Sequence, residues 1–253
     1  MSTKVQKKQI AIAALMALLL FGVTNAFGQT NNKNLSDAEV KERITYIQSA
    51  LDEGELCSEI WYWGWIGAYG TATAVQFSLF FVPDAVNSNN HNYARQDMMA
   101  GAITSLLGVV GLAIDPMVPA YAPDRLRALP GDTPAQRRDK LKQAEYWLKR
   151  SAQRELDGRG WLSHTLNLAV NLAAGLTLWF GFDRKLWPDV LVAFLPGLAI
   201  GEIQIFTQPT RAIDDWEKYQ ARYGKGHAIR PKEIKRNWYM AAYPGGFVAG
   251  LRF

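Results

Sequence analysis

Four long apolar blocks dominate the chain: WYWGWIGAYGTATAVQFSLFFV (61–82), MMAGAITSLLGVVGLAI (98–114), WLSHTLNLAVNLAAGLTLWFGF (161–182) and VLVAFLPGLAIGEIQIF (190–206). Each approaches the roughly 20 residues a helix needs to cross a bilayer's hydrocarbon core. Apolar residues make up 49% of the chain and charged ones 20%, both ordinary for a globular protein. The constraint therefore lies in distribution, with charges crowded into the segments between the blocks.

A fifth apolar run opens the chain. Lys4, Lys7 and Lys8 precede IAIAALMALLLFGV, and small residues follow at Ala26 and Gly28. A basic start, a short apolar stretch and a small-residue exit predict a secretory signal peptide over 1–28, with Gln29 as the mature N-terminus. Export places the protein in a bacterial cell envelope as an integral membrane protein, with the inner membrane favoured over the outer. Cys57 is the one cysteine, so no internal disulfide forms. With three histidines, His91, His164 and His227, scattered far from it, no metal site is expected.

Beyond the signal the chain reads as one unit written twice. Ser36 and Glu39 have capping-box spacing, and Ile44, Ile47 and Leu51 recur on one helical face before the first block. A polar loop and the second block follow, ending in GLAID (111–115), after which Pro116, Pro119 and Pro123 prevent continuation. Pro134 then starts another amphipathic helix with Leu141, Ala144 and Leu148 on one face. The third and fourth blocks come next, and GLAIGE (197–202) echoes GLAID. Trp65 and Trp161 open the two copies. The expected organisation is a first repeat over 29–130, a second over 131–210, and a polar tail over 211–253. That tail holds a short helix from Asp214 to Tyr223, stopped by Gly224, and a C-terminal aromatic segment.

Spacing favours helices for the blocks. Small residues fall four or so apart at Gly64/Ala68/Ala72, Gly101/Ser105/Gly108 and Gly197/Gly201, the stripes that let helices approach closely in lipid. The expected fold is therefore an all-α membrane protein: four transmembrane helices as two tandem helical hairpins, each preceded by an amphipathic helix. A β-barrel is the alternative. Residues 162–182 and 69–79 alternate in polarity, as does the tail through Tyr239, Tyr243, Phe247, Leu251 and Phe253. A closing strand ending in Phe resembles the C-terminal signature of bacterial outer-membrane barrels, over the last dozen residues. Against it, the blocks are about twice a barrel strand's length and lack hairpin dipeptides at their midpoints.

Charge placement runs against the helical topology. An exported N-terminus puts the basic segments 119–160 and 208–253 outside, whereas Lys and Arg ordinarily mark the cytoplasmic side. The opposite turns keep Arg95, Arg184 and Lys185. Within the blocks the polar residues are His164, Asn167, Asn171, Asp115, Glu202 and Gln204. His164, Asn167 and Asn171 share a helical face with Gly175, a polar seam within an apolar stretch. Asp115 and Glu202 end the two GLAI segments and are expected at similar depth, screened by Arg125, Arg127 or Arg211, so that Asp115→Asn and Glu202→Gln would be mild. No catalytic signature, cofactor motif or nucleic-acid partner is indicated. The function expected is a non-enzymatic structural, partner-binding or lipid-binding role, with membrane lipid, an envelope protein or a second copy as partner. A small-solute conduit or membrane enzyme built on the polar seam is the alternative.

Overall fold

A computed structural model describes residues 35–85, 90–224, 238–243 and 246–251. The signal-peptide reading of 1–28 and the polar start after it lie outside the described residues, as does Phe253.

Among the described residues seven α-helices carry the fold: α1 (Asp37–Phe81), α2 (His91–Ile114), α3 (Ala122–Arg127), α4 (Pro134–Gly158), α5 (Trp161–Leu176), α6 (Leu191–Thr207) and α7 (Arg211–Tyr223). The Ser36 hydroxyl accepts from Glu39 N–H at 3.2 Å, so α1 starts where the sequence places it. The capping box is half made, because the Glu39 carboxylate turns to Arg43 instead, at 2.5 Å. At α4 the box is complete: Thr133 and Gln136 bond each other's backbone N–H with Pro134 in the first turn. α1 then continues without a break through the first amphipathic segment and the first apolar block. The second amphipathic segment and the third apolar block are instead separate helices, α4 and α5, broken at Arg159–Gly160.

The amphipathic faces find each other in a helical headpiece. Val40, Ile47 and Leu51 of α1 pack with Val118, with Ala122 and Leu126 of α3, with Leu141, Ala144 and Leu148 of α4, and with Tyr219 of α7. All are nearly or fully buried. Tyr219 donates to Glu145 at 2.6 Å, and burial together with that carboxylate pushes its hydroxyl's pKa up. Ion pairs seal the rim: Asp37–Arg137 at 2.8 Å, Arg127–Asp52 at 2.5 Å and Arg222–Glu42 at 2.8 Å. The acidic half of α1 thus neutralises the basic segments, and the α4 helix that reads as a lone basic element is a packed one.

The apolar blocks form two hairpins, the second half of α1 against α2, and α5 against α6. α5 widens into a π-helical turn at Thr177–Gly181, and Asp183 takes a left-handed φ of 54° in the turn that leads to α6. Small residues make the close contacts at two of the three predicted stripes. A Cβ at Gly101 would come 2.7 Å from the Gln76 amide, and one at Gly108 2.9 Å from the Tyr69 ring. Gly64 has nothing near it, so that stripe makes no such contact.

Two expectations need correction. The barrel is overturned: every apolar block is helical, and the strands among the described residues are one antiparallel ribbon, Trp238–Tyr243 with Gly246–Leu251. Alternation in 162–182 arose from spaced Asn and Thr on a helix. Four spanning helices are not reached either. By length and apolarity two stretches qualify, Asn92–Ile114 and Leu191–Tyr223. The first block is diluted by Trp, Tyr, Gly and Gln76, and regular α5 ends after 16 residues. Outward-facing apolar side chains nonetheless occur on all four blocks, including Phe81, Ile103, Leu168, Leu172, Val192 and Ile203.

Truncation in the headpiece core should be costly. Leu141→Ala or Leu148→Ala is expected to destabilise the protein by about 2–5 kcal/mol, and exposed Lys142→Ala by less than about 0.5 kcal/mol. Thermal unfolding of the purified protein followed by circular dichroism measures both. Equal effects would mean that this cluster does not hold the headpiece.

Candidate functional site

Helical periodicity puts His164, Asn167, Asn171 and Gly175 on one side of α5, facing α6. Across from them α6 offers Gly197 and Gly201, and the Asn side chains fill that space. A Cβ at Gly197 would collide with Asn171 Oδ1, and one at Gly201 with Asn167 Oδ1. Asn167 Nδ2 donates to the Leu198 carbonyl at 3.0 Å and to Glu202 Oε1 at 2.9 Å. Asn171 Nδ2 donates to the Asn167 backbone and side-chain oxygens, both at 2.9 Å. His164 Nδ1 lies 2.7 Å from Glu202 Oε2. Four of the five predicted polar residues therefore form one continuous seam. Its two carboxamides line the cavity described below, whereas His164 and Glu202 do not.

Asp115 lies elsewhere. It follows the last residue of α2, where its carboxylate meets Arg154 at 2.8 Å and Arg150 at 3.4 Å. Arg125, Arg127 and Arg211 do not serve it. Arg127 holds Asp52, Glu55 and Asp124, Arg211 holds Glu53 and Asp215, and Arg125 stacks over Tyr121. Glu202 is five residues before the end of α6, about 7–8 Å along the axis. Both acids sit at the headpiece end of the hairpins, Glu202 deeper than Asp115.

Arg154 emerges as the organising residue at that end. It is 5% exposed. Its Nε donates to the Asp115 carbonyl at 3.0 Å and its Nη1 to Gln208 Oε1 at 3.0 Å, while Gln208 donates on to the Glu155 carbonyl at 2.9 Å. Burial pulls the guanidinium below its ordinary pKa, and the Asp115 charge works against that. Glu155 accepts the Ile213 N–H at 3.2 Å in the first turn of α7, where a carboxylate suits the helix dipole. Arg159 binds the Ile205 and Phe206 carbonyls at the end of α6, the matching placement for a cation. One stretch of α4 and its C-cap thus fixes the ends of α2, α6 and α7.

A second buried arginine closes the far end. Arg184, also 5% exposed, reaches Asp97 at 3.0 Å and Asp189 at 3.4 Å, and lies 3.9 Å above the Tyr93 ring. Between the two arginines the hairpins separate, leaving a half-open cavity of about 680 Å³. Tyr69 bridges it, donating to Gln204 at 2.9 Å, and Gln76 accepts from Ser105 at 3.3 Å on its α1–α2 wall. Among the described residues no group of three or more His, Cys, Asp or Glu side chains comes together. Asp97, Asp115, Arg154 and Asp157 also reach the wall, the first three within ion pairs, and between the ends the chemistry on offer is hydrogen bonding by carboxamides and hydroxyls.

Sequence reasoning named Gln204 but missed Gln76, Tyr69, Arg154, Gln208 and Arg184. Gln76 carried a readable signal, a lone amide seven residues beyond Tyr69 and so on the same face of an apolar block. Arg154 and Arg184 carried none for the contacts that join the hairpins, since Asp115 and Asp97 are 39 and 87 residues away. Comparison of the chain with protein-family models, curated proteins and solved structures finds no match.

Two mutational outcomes follow from the geometry. Gly201→Ala should destabilise by about 1–3 kcal/mol by overpacking, and combined with Asn167→Ala it should cost clearly less than the sum of the single changes. Asp115→Asn, expected from sequence to be mild, should instead cost about 2 kcal/mol because it strips the counter-ion from a buried guanidinium. Glu202→Gln keeps an acceptor for Asn167 and should stay below about 1 kcal/mol. Unfolding midpoints in detergent check these, and strict additivity at Gly201 and Asn167 would rule out the contact.

Proposed function

We propose that the chain is an integral membrane protein embedded in the bilayer through two apolar hairpins, α1–α2 and α5–α6, of which α2 and α6 hold the stretches long and apolar enough to cross it. The headpiece lies on one face, with the segments between the paired helices on the other. The observation that carries this reading is the contrast in side-chain placement. The headpiece buries its aliphatic face, whereas the hairpins turn Phe77, Phe81, Leu106, Val110, Leu172 and Val192 outward. Such a surface is unfavourable in water and suits lipid. Tryptophans support the same boundaries. Trp63 and Trp161 stand exposed at the headpiece end and Trp187 at the other, as in an interfacial belt.

Within that frame the role proposed is binding rather than catalysis, a lipid-binding or partner-binding module. The N-terminal segment supports export to a bacterial envelope, and the inner membrane accords with helical spans. The repeated GLAI segment supports descent of the two hairpins from one duplicated unit. A conduit for small solutes is the second reading, favoured by the polar groups on the cavity wall. Two buried arginine clamps close its ends, which argues against a through-path.

Sidedness tests the topology. Cys57 is exposed on the headpiece side of α1, and an impermeant maleimide should reach it from that face. In a Cys57→Ser background, Asp84→Cys and Lys185→Cys should react from the opposite face only. The protein should also stay with membranes through alkaline carbonate. Same-side labelling of all three positions, or release into the wash, would defeat the two-hairpin reading.

A further inference from the structure

Resting on the two-hairpin reading, we propose that the cavity between the hairpins is a binding site for an uncharged acylglycerol, a hydrocarbon tail whose head carries both ester carbonyl and hydroxyl groups. Its volume, about 680 Å³, falls within the range of small-molecule pockets. Much of its wall is hydrocarbon, with Leu107, Leu166, Val170 and Leu178 among the residues that line it. A half-open chamber of this kind at membrane depth admits an acyl chain without exposing it to water.

The head is specified by what remains unbonded. Gln204 uses one end of its carboxamide on Tyr69, and Gln76 uses one end on Ser105. Whichever way each amide is assigned, its other end has no partner among the described residues. Asn171, nine-tenths buried, gives its N–H groups to Asn167 and keeps its oxygen against Gly197, without an N–H or O–H donor there. Unpaired amides inside a bilayer are costly, so these groups call for a ligand that accepts from two N–H donors and donates to one oxygen. An ester carbonyl and a glycerol hydroxyl supply that set.

Charge decides against the alternatives. The ionised side chains at the two ends are committed to one another, Asp115 to Arg150 and Arg154, and Asp97 to Arg184. Asp157 is exposed and bonded to Gln153. A carboxylate or phosphate head would find no unpaired cation among the described wall residues, and an ammonium head would find only Asp157, at the exposed headpiece rim rather than beside the amides of Gln76, Asn171 and Gln204. An oxidised quinone offers carbonyls but no donor for Asn171.

The test uses the full-length protein in phosphatidylcholine nanodiscs and a monoacylglycerol carrying a tail diazirine and an alkyne. Photolabelling should saturate and map to the cavity wall at Leu107, Leu166 or Val170. Unlabelled monoacylglycerol should displace it, whereas a fatty acid of equal length, a short-chain quinone and an alkane should not. Gln204→Leu and Gln76→Leu should each weaken apparent affinity roughly fivefold, the worth of one hydrogen bond. Tyr69→Phe breaks the same Tyr69–Gln204 bond but leaves the Gln204 amide, and should weaken labelling less than Gln204→Leu does. Labelling that never saturates, or that maps only to Phe77, Leu168 and Leu172, would reduce the site to surrounding lipid and overturn the proposal. Displacement by the alkane, the quinone or the fatty acid would overturn the assigned head. A Tyr69→Phe loss equal to that of Gln204→Leu would overturn direct recognition by Gln204. Opposite-face cysteine labelling without saturable photolabelling would reject the site and leave the two-hairpin reading standing.

Discussion

One buried guanidinium sets the geometry of the molecule. Arg154 cannot lie under the headpiece without a counter-ion and acceptors, because an unpaired buried charge costs several kcal/mol. Asp115 supplies the charge, and the Asp115 carbonyl and Gln208 supply acceptors. Asp115 ends α2 and Gln208 ends α6, so satisfying one side chain of α4 fixes where both apolar helices stop. Glu155, the next residue, does the same for the start of α7. The headpiece is thus a plate to which the hairpins are bolted.

The cavity follows from that arrangement. Within each hairpin the helices approach through glycine, so side chains fill the interface: Tyr69 and Gln76 over Gly108 and Gly101, Asn167 and Asn171 over Gly201 and Gly197. Between hairpins no such complementarity exists. Arg154 holds them at one end, Arg184 at the other, and Tyr69–Gln204 in between. Two well-packed pairs stapled at their ends enclose space in the middle. Pro196 contributes as well, since it removes an N–H from α6 just where Asn171 meets Gly197.

Local patterns in the sequence were informative where one element suffices to specify them. Ser36, Pro134 and Gly224 mark helix boundaries through backbone chemistry confined to a few residues, and the Ile47/Leu51 and Leu141/Ala144/Leu148 faces are read from period alone. The seam of His164, Asn167, Asn171 and Glu202 was legible for the same reason, three residues on one helical face and an acid in the partner helix. Asp115 was misplaced because its partner was sought at Arg125, Arg127 or Arg211, while the structure uses Arg154 from near the end of α4. Reading strands into 162–182 failed similarly: alternation over a few turns is compatible with a helix whenever the polar residues are short amides and hydroxyls. Closure by Arg184 depends on contacts to a different hairpin, which no local pattern encodes.

Ion pairing in the headpiece also bears on the charge asymmetry that opposes the proposed external topology. Basic residues of 119–160 look excessive only when α4 is considered alone, for in the fold Arg137 meets Asp37, Arg127 meets Asp52 and Glu55, and Arg222 meets Glu42. Those acids sit in the first half of α1, which precedes the first apolar block. Exposed pairs of this kind add little stability singly. Their consequence is for topology, because a folded, charge-compensated domain is translocated with little regard to its Lys and Arg content, unlike a short basic loop. The same pairing commits Arg127, Arg137 and Arg222 to acids and so reduces the basic face open to anionic headgroups. In the proposed lipid-binding reading, recognition rests on the amide-bearing wall between the hairpins rather than on the headpiece surface.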